Sequence, residues 1–200
     1  MLHHTSEAAI VEGVTTPARP FLWTIGYGGR TLLEFLSCLA AREIRFLIDV
    51  RSVPRSRFRP EFSDDRIDHE LKKVGVRYVF MGDFLGGRPK DPACYADGFT
   101  DYARCAEHAD YQRGVFRLAA AAKQPSAAAI MCSEGKPEDC HRSKLIGEML
   151  VRDSINVAHI DESGEDRTQD EIIARACGGQ MPLLAPGERP RFTSRKRYML

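Results

Sequence analysis

The sequence predicts an α/β fold: a three-layer α/β/α domain built on a mostly parallel sheet of about five strands. Three observations carry that expectation. Short apolar runs of strand length recur along the chain. Between them lie segments with apolar residues at helical spacing and polar residues at their ends. The chain has 200 residues and 43% hydrophobic content, enough for one sizeable core.

Taken in order, Phe21–Ile25 is the first strand and ends in Gly26-Tyr27-Gly28-Gly29. Thr31 and Glu34 are spaced as a capping box for a helix carrying Leu32, Leu33, Phe35, Leu36 and Leu39. Phe46–Val50 is a second strand, followed by an arginine- and proline-rich loop and by Ser63 as N-cap of a helix with Ile67, Leu71 and Val74. Gly75 closes that helix, and Val76–Met81 gives the third strand. Gly82–Gly98, rich in Gly, Pro and Asp, reads as a long ordered loop that lines a site. Phe99–Ala122 reads as helical with a break near Asp110, Ala127–Met131 as the fourth strand, 139–152 as a helix and Ile155–Ile160 as the fifth strand. An acidic turn and a short helix near Gln169–Cys177 complete the pattern. The expected layout is one domain over 21–177, an N-terminal extension over 1–20 and a basic, partly mobile tail over 178–200.

With 29 basic and 28 acidic residues, the whole-molecule charge argues for neither a nucleic-acid nor a membrane partner. Local patches remain: Arg51, Arg55, Arg57 and Arg59 in one loop, and Arg189, Arg191, Arg195, Lys196 and Arg197 in the tail. The six cysteines lack a secretory segment before them and read as reduced thiols in a cytoplasmic protein. No apolar run reaches membrane-spanning length, so no membrane is expected, and the oligomeric state stays open.

Chemistry concentrates between Cys132 and Ser143, at a strand-to-helix junction. Cys132 leaves the fourth strand as a candidate nucleophile, since a helix amino end and nearby cations lower a thiol pKa; an inert buried cysteine is the competing reading. Glu134 and His141 are the candidate proton-handling groups. The set Cys132, Glu134, Cys140 and His141 also suits zinc, although no C-x-x-C pair is present; no cofactor is firmly implied and zinc stays open. For a small anionic ligand, the second strand's end offers Asp49, Arg51, Pro54, Arg55 and Ser56. Gly26 and Tyr27 add backbone donors, and Arg88, Arg142 and Ser143 complete the expected anion site.

Thr24-Ile25-Gly26-Tyr27, Leu47 to Ser56, Leu85-Gly86-Gly87-Arg88, Met131 to Glu134 and Cys140-His141-Arg142 occur in that order. In these motifs the chain resembles the uncharacterised bacterial family catalogued as domain of unknown function 488, over about residues 21 to 162. Members of that family usually carry a Ser-Asn pair where this chain has Gly28-Gly29. The resemblance implies a compact α/β domain with these loops on one face and supplies no reaction.

The leading expectation is therefore an enzyme, a cysteine-dependent transferase or hydrolase, acting on a small anionic or nucleotide-like substrate at the carboxyl ends of the strands. Two alternatives stand beside it. One is a nucleic-acid-associated module using the Arg51–Arg59 loop and the basic tail; the other is a metal-dependent hydrolase with Cys/Glu/His ligands.

Overall fold

The structure, a computed structural model, describes residues 22–183, 185 and 188–198. The expected extension 1–20 and Phe21 lie outside the described residues. Strand β1 (Leu22–Gly26) is buried along its length and leads through a tight turn to α1 (Leu32–Ala40). The Thr31 hydroxyl accepts from the Glu34 N–H while the Glu34 side chain accepts from the Thr31 N–H, the reciprocal cap that the spacing predicts. β2 (Phe46–Asp49) precedes α2 (Asp64–Lys73). Ser63 is the N-cap of α2, but its hydroxyl accepts from the Ser56 N–H in the preceding loop instead of from the helix. Gly75, at φ 71°, makes the left-handed exit from α2 into β3 (Arg77–Phe80).

The long loop after β3 contains α3 (Gly82–Leu85) and β4 (Tyr95–Ala96). The stretch expected to be helical from Phe99 opens as a strand, β5 (Phe99–Asp101), which pairs back on β4. Asp101 then caps α4 (Tyr102–Glu107) and His108 caps α5 (Ala109–Ala122). After β6 (Ala128–Cys132), the expected helix 139–152 resolves into three pieces: a 3-10 turn at Pro137–Asp139, a π-helix at Arg142–Gly147 and α6 (Glu148–Arg152). Pro137 starts the tight turn, and Cys140 returns to extended backbone before the helix begins. Next come β7 (Val157–Ile160), β8 (Asp166–Thr168) and α7 (Gln169–Ala176), α7 with a second capping box at Thr168 and Glu171.

The main sheet runs β3-β2-β6-β1-β7-β8, one strand more than expected. Its first five members are parallel and β8 pairs antiparallel to β7 at the edge. Period-two alternation along the strands sends side chains into two cores. Ala129 and Met131 meet Phe35, Leu39, Ile67 and Leu71 of α1 and α2. Ala128, Ile130 and Cys132 meet Val115 and Leu118 of α5 and Ile146 and Leu150 beyond β6. The result is the expected three-layer α/β/α arrangement. β1 and β2 flank β6 in register, Gly26 beside Cys132 and Asp49 beside Met131, so three strands deliver their loops to one end.

Part of the tail expected to be mobile forms β9 (Thr193–Arg197), which completes a small antiparallel sheet in the order β4-β5-β9. The Tyr102 N–H donates to the Phe192 carbonyl (3.1 Å) and the Tyr198 N–H to the Gly98 carbonyl (2.7 Å), tying both ends of β9 down. Among the described residues, no helix is long and apolar enough to cross a membrane.

Candidate functional site

The loops after β1 and β6 are zipped together by backbone. The Tyr27 N–H donates to the Cys132 carbonyl (3.2 Å) and the Gly28 N–H to the Ser133 carbonyl (3.0 Å). A Cβ on Gly26 would fall 1.8 Å from the Glu134 carbonyl oxygen, so only glycine fits there. Gly26, expected to donate to an anion, thus serves chain approach and does not line the cavity at this end of the sheet.

Arg142 and Ser143, expected to contact an anion, turn inward instead. Arg142 is fully buried; its Nη1 donates to the Glu134 carbonyl and its Nη2 to the Gly135 carbonyl (3.0 Å). Ser143 donates to the Pro137 carbonyl and sits 3.1 Å from the Cys140 carbonyl. Both side chains hold the Cys132–Cys140 loop in shape, because burial obliges each donor to find a protein acceptor.

That loop brings two sulfurs to one imidazole. His141 Nδ1 lies 3.8 Å from Cys132 Sγ and 3.7 Å from Cys140 Sγ. His141 Nε2 lies 3.2 Å from the Val50 carbonyl oxygen at the end of β2. A carbonyl can only accept, so Nε2 carries a hydrogen and Nδ1 is the ring nitrogen that faces the sulfurs. Burial opposes ionisation of the Cys140 thiol, yet the hydrogen bond from Cys132, the Arg142 charge and the His141 ring bring its pKa well below that of a free thiol. The same hydrogen bond to Cys140, with burial second, pushes Cys132 well up. Of the four residues named as metal ligands from sequence, Cys132, Cys140 and His141 present ligand atoms within 4.8 Å of one another. Glu134 stands apart from that group but lines the same cavity.

The loop after β2 supplies the opposite wall. Arg51 is almost fully buried and fork-bonded to Asp49, with Nε–Oδ1 at 2.9 Å and Nη2–Oδ2 at 2.6 Å. Its Nη2 also donates to the Pro54 carbonyl (2.8 Å) and its Nη1 reaches the Tyr27 hydroxyl (3.3 Å). Burial opposes the Arg51 charge, and the Asp49 carboxylate more than offsets it, so the guanidinium stays ionised. Asp49, expected beside a ligand, is instead the internal partner of Arg51 and of the Tyr78 hydroxyl (2.7 Å). Pro54 and Ser56 likewise shape the loop: the Pro54 carbonyl accepts from the Asp64 N–H, and Ser56 Oγ accepts from the Arg59 N–H.

A cavity of about 520 Å³ lies between these walls. Cys132, Glu134, Cys140 and His141 line it together with Tyr27, Arg51, Arg55 and Arg88. Tyr102, Ser52, Gly87 and Asp139 also face it, as do Ser194, Arg195, Lys196 and Tyr198 from β9 and its exit. The β9 residues escape a reading of the sequence as site residues, since the chain there shows only a basic tail; Tyr198 after a run of polar residues is the available signal. The Arg88 guanidinium stacks 4.8 Å above the Tyr198 ring, joining the long loop to the tail.

A family model described as Domain of unknown function DUF488 matches residues 31–149, more than half of the chain. The chain belongs to the DUF488 family. The match takes in the arginine loop after β2, the Gly86-Gly87-Arg88 turn and the whole Cys132–Ser143 segment. In this DUF488 member, β1, β7 and β9 lie outside the matched stretch, so part of the cavity wall does too. Neither a search of curated proteins nor one of solved structures found a match.

Proposed function

We propose that this protein is an enzyme that binds a small anionic or nucleotide-like substrate and transforms it at the Cys132–Cys140–His141 floor of the cavity. One observation carries the reading: a buried thiol–imidazole cluster and a set of cationic side chains face the same concave space. The cations differ in availability. Arg51 is neutralised by Asp49, Arg195 pairs with Asp139 (2.7 Å), and Arg55 lies 3.8 Å from Asp64. Among the described residues, Arg88 and Lys196 have no carboxylate facing them at comparable distance, which leaves their charge for a ligand. Arg88 and Lys196 therefore bind the anion, Glu134 handles protons at the reacting group, and His141 acts through the two sulfurs it faces.

Calorimetric titration of the full chain with inorganic phosphate and with a nucleoside monophosphate tests this. Arg88→Ala and Lys196→Ala are each expected to weaken binding about tenfold, the loss of one charge-assisted hydrogen bond. Lys73→Ala, at the exposed end of α2, should leave it unchanged. An activity screen over the anions that bind should give turnover that His141→Ala abolishes. Equal affinity in wild type and both cavity variants, or binding without turnover, overturns the reading. Salt-sensitive binding of duplex DNA or RNA in preference to mononucleotides would replace it with the nucleic-acid module.

A further inference from the structure

We propose that Cys132, Cys140 and His141 bind a zinc ion through Sγ, Sγ and Nδ1, with a fourth coordination position open to the cavity. The inference concerns the cavity floor and rests on the enzymatic reading only for what the fourth position does.

Three ligand atoms crowd together at the cavity floor. Both sulfurs approach the same Nδ1, at 3.8 and 3.7 Å. A metal ion satisfies all three atoms together. Geometry agrees with this. Zinc takes sulfur at about 2.3 Å and imidazole nitrogen at about 2.0–2.1 Å, which in a tetrahedron sets each S···N edge near ~3.6 Å. The observed edges are within a few tenths of an ångström of that value.

The surroundings match what a metal ligand needs. His141 is oriented from behind by the Val50 carbonyl, the outer contact that fixes a ligating histidine's tautomer. Arg142, fully buried, donates to the Glu134 and Gly135 carbonyls and so holds the loop that carries Cys132 and Cys140 in shape. Two thiolates, one zinc and one guanidinium leave a single net positive charge in the buried cluster. On binding, Zn²⁺ replaces the two thiol protons, which pass to solvent, and two Zn–S bonds and one Zn–N bond form. The soft S₂N donor set favours zinc over calcium, magnesium or manganese. Three protein ligands with one open position is the pattern of a catalytic zinc, not of a structural one. Cys132, Cys140 and His141 all border the cavity, so the open position faces the space that Glu134 and Arg88 also line.

The test uses the full chain purified without chelator. Elemental analysis should find one zinc per chain, and cobalt titration of the stripped wild type should give one tetrahedral equivalent with thiolate-to-cobalt charge-transfer absorption, displaced by zinc. Cys140→Ser and His141→Ala should each lower zinc affinity by more than about 100-fold, the upper end of what losing an outer contact costs, while Cys38→Ser leaves it intact. Folded wild type that binds no stoichiometric cobalt, or binds it without charge-transfer absorption, overturns the inference, as does an equal loss in Cys38→Ser. The wild-type titration needs no variant, so misfolded mutants do not blunt it. Phosphate binding without zinc would sink this inference alone; zinc without phosphate binding would sink the anion reading alone.

Discussion

Two neighbouring strands, β2 and β6, each end in a loop with a buried arginine, and the two arginines are handled in opposite ways. Arg51 meets a carboxylate two residues back in its own loop, and the Asp49 fork absorbs its charge. Arg142 meets only the carbonyls of Glu134 and Gly135, with its Nε left without a partner among the described residues. The first loop is electrically closed and serves as a wall. The second keeps a positive charge inside the molecule, where it acts on Cys140 and on His159. Two residues of the same type thus produce a scaffold in one place and a field in the other.

Replacing the field-bearing residue should have the largest effect. Arg142→Ala leaves two carbonyls without their charged donor and opens a void, and should cost about 3–5 kcal/mol in urea unfolding, with little recovery in Arg142→Lys because an ammonium cannot fork to both carbonyls. A loss under about 1 kcal/mol would break the contrast.

Asp49→Asn probes the other loop and should cost less, about 2–3 kcal/mol, because Arg51 keeps the Pro54 carbonyl and an amide oxygen still accepts from it. If this variant destabilises more than Arg142→Ala, the closed loop is the more heavily stressed of the two.

The smallest effect is a slope. His159 is buried between the Thr24 hydroxyl (2.7 Å) and Gln169 (2.6 Å). Burial, and after it the Arg142 charge, depress its pKa from 6.5 to about 3. Between those values the unfolded chain binds a proton that the folded chain refuses, so stability falls as pH drops through the window, by at most about 1.4 kcal/mol per pH unit. His159→Gln should flatten that limb in acid-unfolding curves. An unchanged acid limb would show that His159 is not held neutral in the folded chain.

Much of the frame was legible in the residues themselves. Strands β1, β2, β3, β6 and β7 are short apolar runs, and the α1 cap is a local hydrogen-bond pattern that spacing alone reveals. Sequence also pointed to the segments that meet at the cavity. Which way each polar side chain turns was not legible. Arg142 and Arg88 look alike in sequence, yet one is inside and the other faces the cavity, because the carbonyls that capture Arg142 are created only when the Glu134–Gly135 loop folds back over β1. β8 and β9 were hidden for a related reason. Asp166–Thr168 and Thr193–Arg197 carry little apolar signal and become strands by pairing with edges elsewhere in the chain.

Cys140, His141, Arg142 and Ser143 are four consecutive residues with nearly no exposure, which a regular α-helix at the protein surface would not permit. Cys140 is extended and His141 is the N-cap, so the wide turn over Arg142–Gly147 begins after them and carries only Arg142 and Ser143 of the four. Because the wide turn holds one residue more than ordinary winding, deleting Lys144 should let it close to an α-helix with its two flanks still in phase. A shorter chain at this spot therefore keeps Cys140 and His141 at the cavity, whereas exchanging either of them changes what the cavity offers.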